Sequence, residues 1–553
     1  MPNKPVHSIH PDQLTVSDFG VAVPQIEKVT KLPPAETGTT SSLRIRYKDF
    51  GELSLADYEV FSKLPEHPLW GQVERLIDFS FADELCAHLY SPYGQRPFAP
   101  SLKLKLHLIQ AMENVSDRQL ESRVMFDMAI KRFLGVPLSF NGLDHSTVGL
   151  DRQRMGDSLF HACFHYVLAQ AKQYGLWSGE GDIWIVDSVH TQACSSWMGA
   201  KRLIQRGVLN ILQQIKRANR PLFQRVMEAL HCETWFDRLP KEATPEEHAN
   251  AFHLLVIRSY SLLTWFEQGV GRTLFWQWNR ASSQLRSLEL QAILYEILQQ
   301  NTRPRPPRED PETTYYERIP RKERSNDRIM NAHDPDLRMA VKNGTPHTDK
   351  IQVVVSNNSG LILEVEPISA IERDGERLKE LVLGVMKHHE TRPALVSADT
   401  AYGYGVYRKN LADTELTLVT PHASTVNPSG LLSKEQFRYD PGTDKVTCPE
   451  KHTSTRKVRN NKEHGYQHYF AASTCAQCPI RERCTTNKDG RSIFISDYRE
   501  LMEASAAFNQ TPQGQKALQV RPKVERTNNE LVNHHELRHH VLADEKSFAF
   551  LSS

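Results

Sequence analysis

Two short apolar runs in this chain each lead into an aspartate: "IWIVD" at residues 183–187 and "ALVSAD" at residues 394–399. A charged carboxylate beside a buried strand costs several kcal/mol unless something pairs with it. One such pattern is ordinarily a turn or N-cap aspartate. Two of them, Asp187 and Asp399, within one series of strands restrict the fold more sharply. "DKIQVVVS" and "GLILEVEPIS", joined by "NNSG", form a predicted hairpin, and "ELTLVTPH" a fifth strand. "DGERLKELVLGVMKHHE", starting near Asp374, and "YGVYRKNLADT" have helical character. The order is strand, long insertion, strand, strand, helix, strand, helix, strand. It predicts an α/β fold with a mixed sheet covered by helices.

A chain of 553 residues exceeds one core, and at about 150 residues per domain it makes three or four. Residues 1–60 are rich in Pro, Thr and Ser and are expected to be a loosely ordered lead-in. A helical domain follows over 61–176. In it Ser116 and Gln119 have capping-box spacing, Leu120, Val124 and Met128 repeat every four residues, and Gly135 and Pro137 end the helix. Ser146 is the candidate cap of the next helix. Arg123, Lys131, Arg132 and Arg152 make this a candidate DNA-binding unit; a solvated basic face has the same pattern. Residues 201–325 are a helical insertion ending in the charged, Pro-rich linker "NTRPRPPREDPE". Its Trp265, Trp276 and Trp278 are expected in a core rather than stacked on bases. The sheet domain is assembled from 181–200, 326–425 and 500–545.

No apolar run reaches the roughly 20 residues of a membrane span, and "MPNKPVHSIHPDQ" lacks the apolar region of a secretory signal. The formal charge of +2 neither requires nor excludes nucleic acid. Residues 430–495 form a cysteine-rich insertion, with Cys448, Cys475, Cys478 and Cys484 spaced C-x26-C-x2-C-x5-C. This suits a structural Zn2+; reduced thiols in a small core are the alternative. Arg481 and other basic residues, interleaved with Tyr466, Tyr469 and Phe470, make a candidate DNA-contacting lobe. Scattered and clustered cysteines together suit a cytoplasmic chain better than a disulfide scaffold.

Chemistry gathers at strand ends in α/β sheets. If the two strands are neighbours, Asp187 and Asp399 converge and repel. Hard cations relieve that repulsion, and two Mg2+ (or Mn2+) ions about 3.5–4 Å apart serve phosphoryl transfer. A third carboxylate is available near the end of the chain in "VRPKVERTNNELVNHHELRHH". Pro522 suits a first helical turn, with Glu525 in that turn and Glu530 further on. His190, close to Asp187, either meets the site or makes a local hydrogen bond. Lys342 is a candidate DNA contact.

With these residues the sequence resembles the DDE transposases of bacterial insertion sequences, especially insertion-sequence family eleven-eighty-two, over nearly the whole chain from about residue 60. The likeness is carried by "SDRQLESRVMFDMAIKRFLGV" with "DHSTVGLDRQRM", "IWIVDSVHTQA", "DPDLRMAVKNG", "ALVSADTAYGYG" and "RPKVERTNNEL". It implies a ribonuclease-H-like fold with Asp187, Asp399 and Glu525 as the catalytic, metal-binding triad. Arg521, four residues before Glu525 in the family's R-x-x-x-E pattern, favours Glu525 over Glu530; it either orients Glu525 or holds a phosphate. Double-stranded DNA is the implied partner, as terminal inverted repeats and as target, with a homodimer bridging the DNA in the bacterial nucleoid. Two departures are visible. Val532 stands where related enzymes often have a lysine, and "VLADEKSFAFLSS" is shorter than the closing helix expected. The second departure raises the alternative of a catalytically impaired remnant that only binds DNA.

Overall fold

A computed structural model describes residues 45–50, 53–193, 197–232, 235–236, 240, 242–278, 281–305, 314–342, 345–422, 430–535, 537 and 539–540. The closing "VLADEKSFAFLSS", on which the expectation of a shortened C-terminus rests, lies outside the described residues, as does most of the lead-in. Helix starts earlier than expected, however. Ser54 and Asp57 form a capping box at the head of α1 (Leu55–Lys63).

Six further helices complete the N-terminal unit: α2 (Trp70–Leu76), α3 (Phe81–Leu85), α4 (Pro100–Glu113), α5 (Asp117–Phe126), α6 (Met128–Leu134) and α7 (His145–Gln173). The Ser116–Gln119 capping box is present at α5. The expected Leu120–Val124–Met128 face is interrupted. Asp127 ends α5 and caps α6 by accepting from the Ala129 and Ile130 amides, so Leu120 and Val124 are buried while Met128 is 46% exposed. Gly135 closes α6 at φ 72°, a conformation that costs glycine little. The cap of α7 is Asp144 and not Ser146, because the shorter-reaching acceptor is the Asp144 carboxylate, which takes the Ser146 amide. Trp70, Leu102, Ile109, Leu120 and Phe133 share the core of this unit. Beside it the buried Lys103 ammonium pairs with Asp151 at 2.7 Å, and His107 meets the same carboxylate at 3.2 Å. α7 breaks at Gly156 (φ 64°, ψ 178°). Its second half packs Leu168 and Ala171 into the core of the sheet.

Strand β1 (Ile183–Ala193) follows, and then α8 (Ala200–Ala218), α9 (Arg220–Leu230), α10 (Pro245–Glu267), α11 (Gly269–Trp276) and α12 (Ala281–Asn301). Leu203, Ile204, Val208 and Ile211 of α8 meet Leu290, Leu294 and Ile297 of α12 in a core that also takes in Ile329 and Ala332, beyond residue 325. Trp278 is buried and Trp265 packs against this core, but Trp276 is 61% exposed. The expected linker is partly ordered. Its first residues form β2 (Thr302–Arg305), antiparallel to β3 (Tyr315–Arg318).

The hairpin of β4 (Ala340–Lys342) and β5 (Thr345–His347) leads to β6 (Asp349–Ser356), β7 (Ile362–Ser369), α13 (Leu378–His389), β8 (Leu395–Ala398), α14 (Gly405–Ala412) and β9 (Leu418–Val419). α13 begins later than Asp374, whose carboxylate is taken up by the Lys350 ammonium at 2.6 Å. The sheet order is β7-β6-β1-β8-β9. β1 is antiparallel to β6 and parallel to β8, and β8 is parallel to β9. All of β6 is buried, as expected for a sheet covered on both faces.

A cysteine-rich lobe comes next, with β10 (Arg438–Asp440), β11 (Lys445–Thr447), β12 (Arg456–Asn460), β13 (Gly465–Tyr469), α15 (Ala472–Ala476), α16 (Arg481–Cys484) and β14 (Ser492–Ser496). The chain then returns to the sheet through α17 (Arg499–Asn509), α18 (Pro512–Val520) and α19 (Pro522–Asn533), and β15 (His539–His540) pairs with the far end of β1. One face of the sheet, with Trp184, Val186 and Val354, packs on the residues of α7, α13 and α14. The other, with Ile185, Val189 and Val353, packs on Val524 of α19.

Candidate active site

Asp187 is not at a strand end, as expected, but inside β1. The strand continues because β6 pairs with it through Thr191↔Asp349, whereas the β8 ladder stops at Val186↔Ala398. Asp187 and Asp399 are therefore the next residues along two parallel neighbours, which in a sheet lie about 4.8 Å apart. Side-chain alternation gives Asp187 the parity of Ile185 and Val189, the face that α19 covers.

Asp187 is held by two donors. The Ser188 amide donates to Oδ1 at 2.9 Å and Asn528 Nδ2 to Oδ2 at 3.0 Å. The Ala401 amide donates to Asp399 Oδ1 at 2.7 Å. Burial pushes the Asp187 carboxyl up to about 6, and the Asp399 and Asp374 carboxylates push in the same direction, against the Ser188 amide and the Arg521 guanidinium. An acid buried beside two more acids is short of positive charge, and its hard oxygen donors suit a divalent cation of the Mg2+ class.

α19 supplies the third region. Val524 anchors it in the apolar face, and Lys523 donates to the Asn357 carbonyl at 2.9 Å, fixing the start of the helix at the β6–β7 turn. Asn528, one turn after Val524, thereby reaches Asp187. Glu525 precedes Asn528 by three residues, on the same side of the helix, and Arg521 donates to its Oε1 at 2.7 Å. Glu530 follows Asn528 by two residues, about 200° round the helix, and is exposed. Asn528, Asp374 and the buried Tyr402, whose hydroxyl accepts from Gln352 Nε2 at 3.1 Å, were not singled out in the sequence. For Asn528 a signal existed: the three-residue spacing from Glu525.

His190 lies further along β1, opposite Lys350, with its ring 4.9 Å from that of His347. Lys342 ends β4; its side chain is outside the described set. The basic residues expected to meet DNA in the N-terminal unit are largely engaged within the protein. Lys131 is buried and its ammonium reaches the Leu138 carbonyl, which takes it out of contention as a phosphate contact. Arg132 donates to the Phe61 and Leu64 carbonyls, Arg152 pairs with Asp117, and Arg123 pairs with Glu113 and Asp127 while staying exposed. Helical packing recruited these charges to neighbouring carboxylates and carbonyls.

Cys448, Cys475, Cys478 and Cys484 line one pocket with Arg481 and Arg491. Burial raises the Cys484 thiol, Arg491 opposes this, and the other three thiols add to it. Among the described residues, the ligand sets whose atoms lie within 4.8 Å of one another are elsewhere, at His161, His165 and Glu364 and at Glu121, Asp144 and His145. Beside the thiols, β12 exposes Arg456 and Arg459, stacked over Tyr469 and Tyr466 at 4.6 and 4.9 Å. Phe470 is not part of that surface but is buried in the core of the lobe.

No helix among the described residues is long and apolar enough to cross a membrane. Neither the curated proteins nor the solved structures contain a match to the chain. Two family models do match. A transposase domain (DUF772) matches residues 58–154, from α1 to the start of α7. A transposase DDE domain matches residues 447–548, which include most of the cysteine-rich lobe with its four cysteines and α19 but neither aspartate. A transposase domain in the N-terminal unit and a DDE domain over most of the lobe and Glu525 together support a DDE-type insertion-sequence transposase.

Proposed function

We propose that this transposase binds the terminal inverted repeats of its own element and cuts and joins DNA at a ribonuclease-H-like centre formed by Asp187, Asp399 and Glu525. The observation that carries this reading is the β1–β8 register, which makes Asp187 and Asp399 neighbours on parallel strands. Asn528 supports it by tying the glutamate helix to the first aspartate. The three carboxylates would hold two Mg2+ or Mn2+ ions, which supply activation of the attacking oxygen and neutralisation of the leaving one. The chain's own residues orient the donors. Ser188 and Asn528 fix the two oxygens of Asp187, the Ala401 amide fixes Asp399, and Arg521 holds Glu525 one turn into α19.

Hydrolysis at the repeat boundary leaves a 3′-hydroxyl, whose oxygen then attacks a target-strand phosphorus, forming a new phosphodiester bond as the bond to the target's 3′-oxygen breaks and that oxygen leaves as a hydroxyl. Neither step needs a protein nucleophile. DNA contacts are assigned to the exposed Arg123, to Arg481 and to the arginine–tyrosine surface of β12 and β13. The four cysteines are assigned to one structural Zn2+, and the acting form is a homodimer on DNA. The test is a labelled duplex bearing the element's terminal repeat, incubated with protein and Mg2+ or EDTA. Metal-dependent nicking at the boundary, lost in Asp187→Asn with end binding retained, is the expected result. Nicking that survives in Asp187→Asn sinks the assignment.

A further inference from the structure

A second cluster of ligand-type side chains sits on the opposite face of the sheet, where α7 and α13 cover β7. His161 and His165 lie one turn apart on α7, beyond the break at Gly156. Their Nε2 atoms are 3.2 Å from each other. His161 Nε2 is 2.7 Å from Glu364 Oε1, and His165 Nε2 is 3.3 Å from Glu364 Oε2. His388 of α13 places Nδ1 at 3.9 Å from Glu364 Oε2. Zinc held by imidazole and carboxylate at about 2.0–2.2 Å in a tetrahedron separates its ligand atoms by about 3.4 Å. The Nε2–Nε2 distance and the His165–Glu364 distance already have that length, and one ligand atom from each of His161, His165 and Glu364 lies within 4.8 Å of the others. Two imidazole nitrogens this close to each other, both aimed at one carboxylate, are poorly served by hydrogen bonds alone, since one proton at most can lie between them.

The surroundings resemble those of a metal site. His165 Nδ1 is 2.9 Å from His389 Nε2, which fixes the ring and leaves Nε2 for a ligand, with His389 in the place that a carboxylate or backbone carbonyl usually takes beside a metal-bound histidine. Glu364 and His165 are 5% and 9% exposed, while His161 and His388 are 36% and 41% exposed. The cluster is thus closed below and open to solvent above. Burial works against ionisation of Glu364, but the His161 and His165 hydrogen bonds outweigh it and hold the carboxyl at about 2, so it is an anion at neutral pH.

We propose that His161, His165, Glu364 and His388 form a binding site for a divalent cation of the zinc class, which fastens α7 of the N-terminal unit to β7 and α13 of the sheet. This site is separate from the three carboxylates on the α19 face and from the four cysteines.

The test uses the full-length chain carrying Asp187→Asn, which disables the carboxylate centre, and Co2+ as the probe. The expected spectrum includes a tetrahedral contribution without sulfur charge transfer. That contribution persists in Cys478→Ser and disappears in His161→Gln and in His388→Gln, two positions open enough to tolerate the change. Zinc content after dialysis falls by one equivalent per chain in the same two variants. In the unmutated chain, zinc protects His161 and His388 from diethyl pyrocarbonate, read by mass spectrometry. Unchanged metal content and spectrum in both histidine variants, or equal modification with and without zinc, overturns the proposal.

Discussion

Replacing Asp187 with asparagine should stabilise the metal-free protein while removing its activity. Asp187 titrates at about 6 in the fold against an ordinary 3.8, and each unit is worth about 1.36 kcal/mol. The folded state therefore holds this proton more tightly than the unfolded chain does. Stability declines as pH rises from 3.8 towards 6, and above that the full deficit of about 3 kcal/mol is present. Asparagine abolishes the charge and with it the deficit. It also turns one acceptor oxygen into a donor. Asn528 can rotate its amide to meet that group, since its Oδ1 has no partner among the described residues, at a cost of about 1 kcal/mol. The net gain is about 2 kcal/mol, or about 4–8 °C for a unit of about 150–250 residues. Calorimetry at neutral pH in EDTA should show Asp187→Asn melting above wild type, and added Mg2+ should raise wild type but not the variant. If the variant melts lower in EDTA, or Mg2+ raises both equally, the electrostatic account of the site is wrong.

Glu525→Gln should eliminate nicking while Glu530→Gln leaves it near wild type; the opposite pattern moves the third carboxylate to Glu530. Asn528→Ala, which frees Asp187 from α19, should lower metal affinity about 10–100-fold by isothermal titration. Asp151→Asn strands the buried Lys103 ammonium and should cost about 3–5 kcal/mol, most of it recovered in the Lys103→Met, Asp151→Asn double variant as judged by urea midpoints. The same cluster makes the N-terminal unit acid-sensitive. Burial lowers His107 below its ordinary 6.5, so the unfolded chain takes up its proton first and stability falls as pH drops below 6.5. Asp151 is also lowered, its partners outweighing burial, which adds a further loss below 3.8. Cys478→Ser should release zinc from the cysteine-rich lobe, measured as metal content; retention of that zinc removes the four-cysteine assignment.

Much of the sheet could be read from the chain because its signals are local. A run such as "IWIVD" has to be buried, and an acid at its end has to be accounted for. The length of β1 was not readable. Residues 188–193 are mostly polar; 188–191 are held in the strand by β6 and 192–193 by β15, partners far away in sequence. The fate of the basic residues was hidden for a related reason. Arg152 and Lys131 look alike as letters, yet one has an acidic partner on another helix and the other is buried on a carbonyl. Asn528 escaped notice because its three-residue spacing from Glu525 acquires meaning only when the helix is laid across β1. The break at Asp127 was misjudged because a four-residue repeat continues across it by coincidence.

The helical insertion leaves β1 and returns to β6, and these two strands are antiparallel neighbours. In terms of connectivity it is an overgrown hairpin loop. Its neck is drawn together where the Met198 amide donates to the Met330 carbonyl at 2.8 Å and the Thr348 amide to the Thr191 carbonyl at 3.1 Å. Each doubling of loop length costs only about 0.6 kcal/mol, so expanding a short turn to this size costs the sheet about 3 kcal/mol. The insertion's core draws on residues between Met198 and Ala332 and can compensate for that cost from its own packing. The sheet and its carboxylates are consequently insulated from whatever the insertion acquires or loses. A lineage of such elements can remodel this lobe, or exchange it for another, without disturbing the register that sets Asp187 beside Asp399.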